Sequence, residues 1–120
     1  MPAIQRADTD NNPLTAPDST WNALLNVNHP EYPSVLSCWT QAVTDTLENF
    51  FGTDKAEFGL NSTVPGKTRQ YGRFSEVSDE VQDARVWAGI HFRFSTEDGA
   101  RIGREVPRLV VRHHFRRATD

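Results

Sequence analysis

Hydrophobic positions along the chain predict a protein built mainly from helices. In the clearest segment, apolar residues recur every three or four positions, which is the period of one helix face: Val35, Leu36, Trp39, Val43, Leu47 and Phe50. Ser34 precedes this segment as a candidate N-cap, and Gly52 follows it as a helix-ending residue. We therefore predict a long amphipathic helix from about Ser34 to Phe51.

Two further segments have the same helical period. One begins at about Ser75, ends near Gly89 and has an acidic exposed side; its apolar residues are Phe74, Val77, Val81, Ala84 and Ala88. The other contains Ile102, Val106, Leu109 and Val110, preceded by Ser95 and Asp98 in a spacing close to a capping box. A proline inside a helix costs about 3 kcal/mol, so Pro107 predicts a kink or break near Glu105.

The remaining segments are less regular. Residues 1–17 have no sustained period and are predicted to be irregular, and Asp18 or Ser19 could cap a short helix that ends at Leu25. Residues 53–74 read as a loop with two short extended pieces. The predicted fold is all-α: a partial bundle of three to four helices with one long irregular connection, forming a single partial domain over residues 1–120 with its helical part in 18–120.

Composition sets limits on this domain. Apolar residues make up 37% of 120 residues, below the usual range, so the core is small or is completed by a partner. Cys38 is the only cysteine, which rules out an internal disulfide. Neither a membrane-spanning run of about 20 apolar residues nor a signal peptide is recognisable, and we expect a cytoplasmic protein without membrane contact.

Three short motifs favour ordinary surface roles. Pro65-Gly66-Lys67-Thr68 ends like a phosphate-binding loop but lacks the first glycine of that motif, because Asn61 stands there. Adjacent His113 and His114 would point about 100° apart on a helix and do not converge on one metal ion. Arginines crowd the C-terminal end, yet the sequence pI near 5.8 argues against nucleic-acid binding and favours a solvated face: Arg101, Arg104, Arg108, Arg112, Arg116 and Arg117.

Arg85 and His91 form the most informative pair. On one continuous helix, a separation of six residues would place their side chains about 120° apart. If the helix ends near Gly89, however, His91 can swing back toward Arg85, and both can reach one anion. Arginine offers a planar fork of donors to a tetrahedral oxyanion, and a neutral imidazole can act as ligand or nucleophile. The alternative is that both are ordinary residues at a helix end.

The loop His29-Pro30-Glu31-Tyr32-Pro33-Ser34 offers a third partner. Pro33 can set the first turn of the following helix, and Ser34 can cap it. Free backbone N–H groups at a helix start favour an anion. Ser34 is therefore a candidate oxyanion-binding residue beside Arg85 and His91.

These motifs belong to an ordered series of segments that covers nearly the whole chain. The series comprises Ala3-Ile4, Ala7 to Pro13, Trp21 to Leu25, His29 to Ser34, Phe50 to Asp54, Val64 to Arg69 and Ala84 to Phe94. It resembles the vanadium-dependent haloperoxidases, in the superfamily that also holds the type 2 phosphatidic acid phosphatases (PAP2). The resemblance implies a helical protein whose vanadate or phosphate is held by a lysine with Arg-Pro, by Pro-Ser-Gly-His, and by Ser-Arg with a later histidine. It makes His91 the oxyanion or vanadate ligand and nucleophile, Arg85 an oxyanion clamp and Ser34 a further donor.

Several positions depart from that pattern. The first motif is absent, Val35 stands in place of the second motif's glycine, and Leu36 stands in place of its acid–base histidine. Ala84 replaces the serine of the third motif, and Ser95 occupies a position where many members carry aspartate. Leucine cannot transfer a proton, and a positioned acid–base group is worth about 10²- to 10⁴-fold in rate.

The sequence therefore predicts a truncated, degenerate haloperoxidase-like or PAP2-like domain, an oxidoreductase lineage reduced to a pseudoenzyme. Its oxyanion site is partly erased, so it is expected to be inactive alone, with vanadate as the cofactor of any retained function. The alternative is a non-catalytic interaction domain that packs against a fuller homologue or forms a homo-oligomer. A third possibility is a chain without a stable fold.

Overall fold

The computed structural model describes residues 2–114, so Arg116 and Arg117 of the basic cluster lie outside the described residues. It contains helices α1 (Pro2–Gln5), α2 (Val35–Phe51), α3 (Phe74–Trp87) and α4 (Arg93–His113), a 3-10 helix (Ala7–Thr9), and strands β1 (Lys55–Asn61) and β2 (Thr68–Arg73). The order along the chain is α1, 3-10 helix, α2, β1, β2, α3, α4. The fold is thus mostly helical, as predicted, but it also includes a two-stranded antiparallel sheet.

The helix predicted over residues 34–51 is confirmed. Ser34 is its N-cap, and the Ser34 hydroxyl accepts a hydrogen bond from the Ser37 backbone N–H. Gly52 ends the helix in the left-handed conformation with φ of 71°, which a residue without Cβ adopts at little cost. The second predicted helix is also confirmed, as α3.

Helices α2 and α4 pack unusually closely because glycine lies at their contact. A Cβ atom added to Gly99 would lie 2.3 Å from the Ser34 carbonyl oxygen, and one added to Gly103 would lie 2.3 Å from the Cys38 carbonyl oxygen. Both distances are far shorter than any van der Waals contact. The backbones can therefore approach this closely only if positions 99 and 103 carry no side chain.

This close approach reverses the burial that the apolar pattern suggests for α2. The buried residues of α2, with its N-cap, are polar: Ser34, Ser37, Gln41 and Thr44. The large apolar residues are exposed instead, with Trp39 63% and Phe50 79% accessible to solvent. Hydrophobic periodicity identifies the faces of a helix, but here backbone proximity decides which face is turned inward.

The connection predicted as irregular is a β-hairpin for most of its length. β1 and β2 pair antiparallel, with Phe58 opposite Tyr71 and Asn61 opposite Thr68. Pro65 and Gly66 lie between the strands, and Gly66 has a positive φ of 72°, as a tight turn requires. The two extended pieces expected in this segment are these strands.

Two predictions about α4 were wrong. The helix starts at Arg93 rather than after a Ser95 cap, because the Ser95 hydroxyl donates instead to the carboxylate of Glu31. The helix also continues through Pro107 to His113 without a break. Pro107 and its neighbours on the inner face of α4 are buried, so tertiary packing offsets the local cost of the missing backbone bond.

The N-terminal region also differs from prediction. Residues 2–9 contain α1 and a 3-10 turn, and no helix forms between residues 18 and 25. Asp18 caps only a turn, through Thr20, and the Leu25 N–H donates to the Ala88 carbonyl at the end of α3. The segment therefore forms a turn of its own and also bonds to the end of α3.

Two exposed arginines of α4 pair within their own helix, while Arg93 at its start pairs with Asp83 of α3 at 2.7 Å. Arg101 contacts Asp98 and Arg108 contacts Glu105, both at 3.0 Å, rather than the acidic side of α3. Among residues 2–114, none of the helices combines the length and apolar character needed to cross a lipid bilayer.

Candidate functional site

The end of α3 brings Arg85 and His91 together. Gly89 has a φ of 71°, and its N–H donates to the Val86 carbonyl, while the Ile90 and His91 N–H groups both donate to the Arg85 carbonyl. These bonds form a Schellman turn, which reverses the chain direction directly after the helix. Arg85 lies in the last turn of α3, and His91 folds back beside it.

Gly89 is required here for a second reason. A Cβ atom at this position would lie 2.8 Å from Trp21 Cζ2 and 3.2 Å from Ala23 Cα. The N-terminal segment thus packs directly on the turn. The turn between Arg85 and His91 is thus packed against Trp21 and Ala23.

The His91 imidazole is buried, with 2% of the residue exposed. Its Nδ1 donates a hydrogen bond to the backbone carbonyl of Glu31. Burial lowers the pKa of His91 below its ordinary value, and the nearby Arg85 charge acts in the same direction, while the bond to Glu31 opposes them. The ring is therefore neutral at pH 7, with hydrogen on Nδ1 and a lone pair on Nε2.

Glu31 also holds the start of α4 through its side chain. One carboxylate oxygen, Oε1, accepts hydrogen bonds from the Phe92 backbone N–H at 2.9 Å and from the Ser95 hydroxyl at 2.6 Å. The same oxygen lies 3.9 Å from His91 Nδ1. Glu31, in the loop before α2, thus contacts both His91 and the start of α4.

His29 joins Arg85 to His91. Its ring stacks on the His91 ring, with centroids 5.2 Å apart and planes 14° from parallel. The Arg85 Nη2 donates to His29 Nε2 at 2.8 Å, since a guanidinium has no acceptor. His29 Nδ1 then donates to the Pro30 carbonyl at 3.0 Å, which fixes the tautomer of this second ring.

Two polar atoms in this cluster have no partner. Among residues 2–114, Arg85 Nε and His91 Nε2 are the buried side-chain nitrogen or oxygen atoms that lack a hydrogen bond. Burial lowers the pKa of Arg85, yet a guanidinium remains protonated in proteins. The cluster therefore presents one cationic N–H donor and one imidazole lone pair, each buried at a cost unless a ligand satisfies it.

Ser34 is connected to this cluster through Ser95, which bonds both Ser34 and Glu31, and its N–H and hydroxyl oxygen are already engaged. Its N–H donates to the Ser95 carbonyl at 3.0 Å, and its hydroxyl oxygen accepts from the Ser37 hydroxyl at 2.9 Å. The Ser34 residue is fully buried. Its own hydroxyl hydrogen is the group that it can still offer to a ligand.

Sequence reasoning named Arg85, His91 and Ser34 but missed the roles of His29 and Glu31. Both lie in the loop that contains Ser34. A histidine and a carboxylate in a proline-flanked loop were the signal that could have identified them as site residues. Among the described residues, no group of three or more histidine, cysteine, aspartate or glutamate side chains is arranged to hold a metal cation. The chemistry of the cluster suits an anion.

Comparison with known proteins identifies the family of this domain. The VCPO second helical-bundle domain matches residues 4–120. A bacterial vanadium-dependent iodoperoxidase, described as the first of its kind, is similar with a TM-score of 0.72 and 33% identity, covering 79% of this chain and 24% of that one. No curated protein matches the chain.

Two structures of bacterial vanadium-dependent chloroperoxidase share the fold. The apo form has a TM-score of 0.63 at 24% identity and the holo form 0.62 at 22%, each covering 76% of this chain and 22% of that one. The chain thus spans about a quarter of the length of these solved proteins, 22% to 24%. Since the family match covers nearly all of its residues, the chain belongs to the family of the VCPO second helical-bundle domain and is a haloperoxidase-like helical domain.

Proposed function

We propose that Arg85 and His91 form the retained part of an oxyanion site for vanadate or phosphate. The observation that carries this proposal is the pair of buried, unpartnered nitrogens, Arg85 Nε and His91 Nε2, in one small cluster. Buried polar atoms without partners are rare because each costs about 1–3 kcal/mol. A bound oxyanion would satisfy both atoms at once.

The donor set fits such an anion. The neutral imidazole offers the Nε2 lone pair to the central atom, and the guanidinium N–H offers a charged hydrogen bond to an oxygen. The Ser34 hydroxyl hydrogen is a third donor of the proposed site. When bound, vanadate would supply the peroxide-activating chemistry on which vanadium-dependent peroxidases depend.

The protein residues bind and orient rather than transfer protons. The Glu31 carbonyl keeps hydrogen on Nδ1, so that the unprotonated Nε2 is the atom available to a ligand. Arg85 is held by His29, which leaves Nε as its unused buried donor. Together, these contacts pre-set the histidine and the arginine before any ligand arrives.

The acid–base histidine of the second motif is replaced by Leu36, so we propose that the domain is catalytically inactive alone. Leu36, in the position of the acid–base histidine, borders an apolar groove beside Trp39 and Val43. Without an acid–base histidine at that position, a loss of about 10²- to 10⁴-fold in rate is expected.

Calorimetric titration tests the oxyanion site. Orthovanadate and phosphate are titrated separately into the wild type and into His91→Ala, Arg85→Ala and His113→Ala. We expect binding to the wild type and to His113→Ala, a surface control, and at least about tenfold weaker binding to the two site variants. Equal binding to all four proteins, or no binding to any, would remove the site.

A second candidate function is that of a non-catalytic interaction domain, and the exposed apolar groove favours it. The groove is formed by α2, β1 and α3 and is lined by Leu36, Trp39, Val43, Leu47, Phe58, Leu60, Phe74 and Val77. Exposed apolar patches of this kind mark interaction surfaces. Under this proposal the domain packs against a fuller homologue or against a second copy of itself.

Sedimentation velocity distinguishes self-association from the alternatives. A concentration-dependent rise in sedimentation coefficient is expected for the wild type, and Trp39→Gln should reduce it because that side chain borders the groove and is 63% exposed. A compact monomer at all concentrations would contradict self-association.

A further inference from the structure

Glu31 connects the loop before α2 to His91 through its backbone and to the start of α4 through its side chain. Its backbone carbonyl accepts the His91 Nδ1 hydrogen, and its carboxylate accepts from the Phe92 N–H and the Ser95 hydroxyl at the start of α4. Phe92 directly follows His91 in the chain. The carboxylate therefore anchors the backbone on the far side of the histidine whose ring the carbonyl orients.

We infer that Glu31 is a positioning residue for His91. Its side chain fixes the loop relative to α4, and this places the Glu31 carbonyl where it selects the tautomer with hydrogen on Nδ1 and the lone pair on Nε2. This inference rests on the proposed oxyanion site. In metal-binding proteins, the hydrogen bond at the other ring nitrogen sets which nitrogen faces the ligand, and losing such a partner typically costs about 10- to 100-fold in affinity.

The protein contains a matched carboxylate that has only the anchoring role. Asp54 accepts hydrogen bonds from the Ser75 backbone N–H at 2.9 Å and from the Ser75 hydroxyl at 2.7 Å, at the start of α3. Glu31 does the same at the start of α4, with one backbone N–H and one serine hydroxyl. The contacts found for Asp54 do not include any residue of the Arg85–His91 cluster. Asp54→Ala therefore controls for the loss of a helix-capping carboxylate.

The test compares Glu31→Ala with Asp54→Ala in the full chain. Long-range ¹H–¹⁵N NMR of the His91 ring reports its tautomer, calorimetry with orthovanadate reports affinity, and thermal unfolding reports stability. Both variants should unfold at lower temperature than the wild type. Only Glu31→Ala should lose the fixed Nδ1–H tautomer and bind orthovanadate about tenfold or more weakly.

A conservative variant separates geometry from charge. Glu31→Gln keeps an Oε1 acceptor for Phe92 and Ser95, so it should preserve the tautomer and stay within about twofold of wild-type affinity. Glu31→Ala with an unchanged tautomer and affinity would overturn the inference, and so would equal losses in Glu31→Gln and Glu31→Ala. If the wild type binds no oxyanion, the proposed site fails, while the NMR comparison still decides whether Glu31 sets the His91 tautomer.

Discussion

The two faces of α2 differ in chemistry and in surroundings. The face toward α4 carries serine, glutamine and threonine and is buried, whereas the face that carries Trp39, Val43 and Phe50 is mostly open to solvent. In most globular helices the assignment is reversed. The difference shows that close backbone packing at Gly99 and Gly103, together with polar contacts, decides which face of α2 is buried and leaves its large apolar side chains open to solvent.

The largest expected effect follows from disturbing the buried face at its closest point. Gly103→Ala places a methyl group against the Cys38 carbonyl oxygen, where an added Cβ would lie 2.3 Å away, so α2 and α4 must separate. Overpacking of this kind should lower the free energy of unfolding by about 3 kcal/mol, measured by urea denaturation. Gly72→Ala adds the same group where the nearest atom lies 3.9 Å away and where the backbone is not left-handed, so it serves as the control for contact. An equal or larger loss in the control would contradict the close-packing account.

A smaller loss is expected from the polar network in the middle of the buried face. Gln41 accepts from the Ser78 hydroxyl at 2.7 Å and from Arg104 at 3.3 Å, and donates to Asp45 at 2.6 Å, so it joins all three long helices. Gln41→Ala leaves these partners unsatisfied and should cost about 2 kcal/mol in urea denaturation. Asn49→Ala, on the exposed side of α2, should cost clearly less; similar losses would show that the network contributes little.

Lowering the pH should reduce the free energy of unfolding, because His91 is buried in its neutral form. The folded-state pKa of His91 is lowered, so the unfolded chain binds a proton more readily than the folded chain. The corresponding stability is present above a pH of about 6.5, the ordinary histidine pKa, and is lost as the pH falls through the lowered folded-state pKa. Urea denaturation between pH 7 and pH 5 should show this decline, and His91→Gln should flatten it. An equal decline in the variant would assign the effect to other groups.

The smallest effect on folding is expected on the apolar face. Trp39 is 63% exposed, so Trp39→Gln should change the free energy of unfolding of the monomer by less than about 0.5 kcal/mol. Denaturation at low protein concentration measures this value. A loss as large as that of Gly103→Ala would mean that the apolar face belongs to the core in solution, and the contrast between the two faces would disappear.

Local signals explain which predictions about the fold succeeded. The cap at Ser34 and the left-handed glycine at Gly52 bound α2 as expected, because caps depend on neighbouring residues alone. The end of α3 before Gly89 followed from the same local chemistry. The break predicted at Pro107 was wrong because only the loss of a backbone hydrogen bond can be read locally. The burial that compensates for this loss comes from packing within the folded domain.

The candidate site divides in the same way. Arg85 and His91 could be paired from their spacing around Gly89, since a helix end with a reversed turn is a local event. The stacking of His29 on His91 and the contacts of Glu31 join residues about 60 positions apart. Neither segment has a sequence pattern that indicates the other as its partner. Neither contact could be deduced before the fold was known.

Residue order alone gave the helices α2 and α3, their ends and the chemical types present at the site, because these depend on propensity, period and capping over a few residues. The fold decided which face of α2 is buried, that α4 runs through Pro107, and that Glu31 and His29 surround His91. Those outcomes depend on distances between backbones far apart in sequence. Glycine at positions 99 and 103 permits the closest of these approaches, and only the assembled fold shows which backbone each glycine meets.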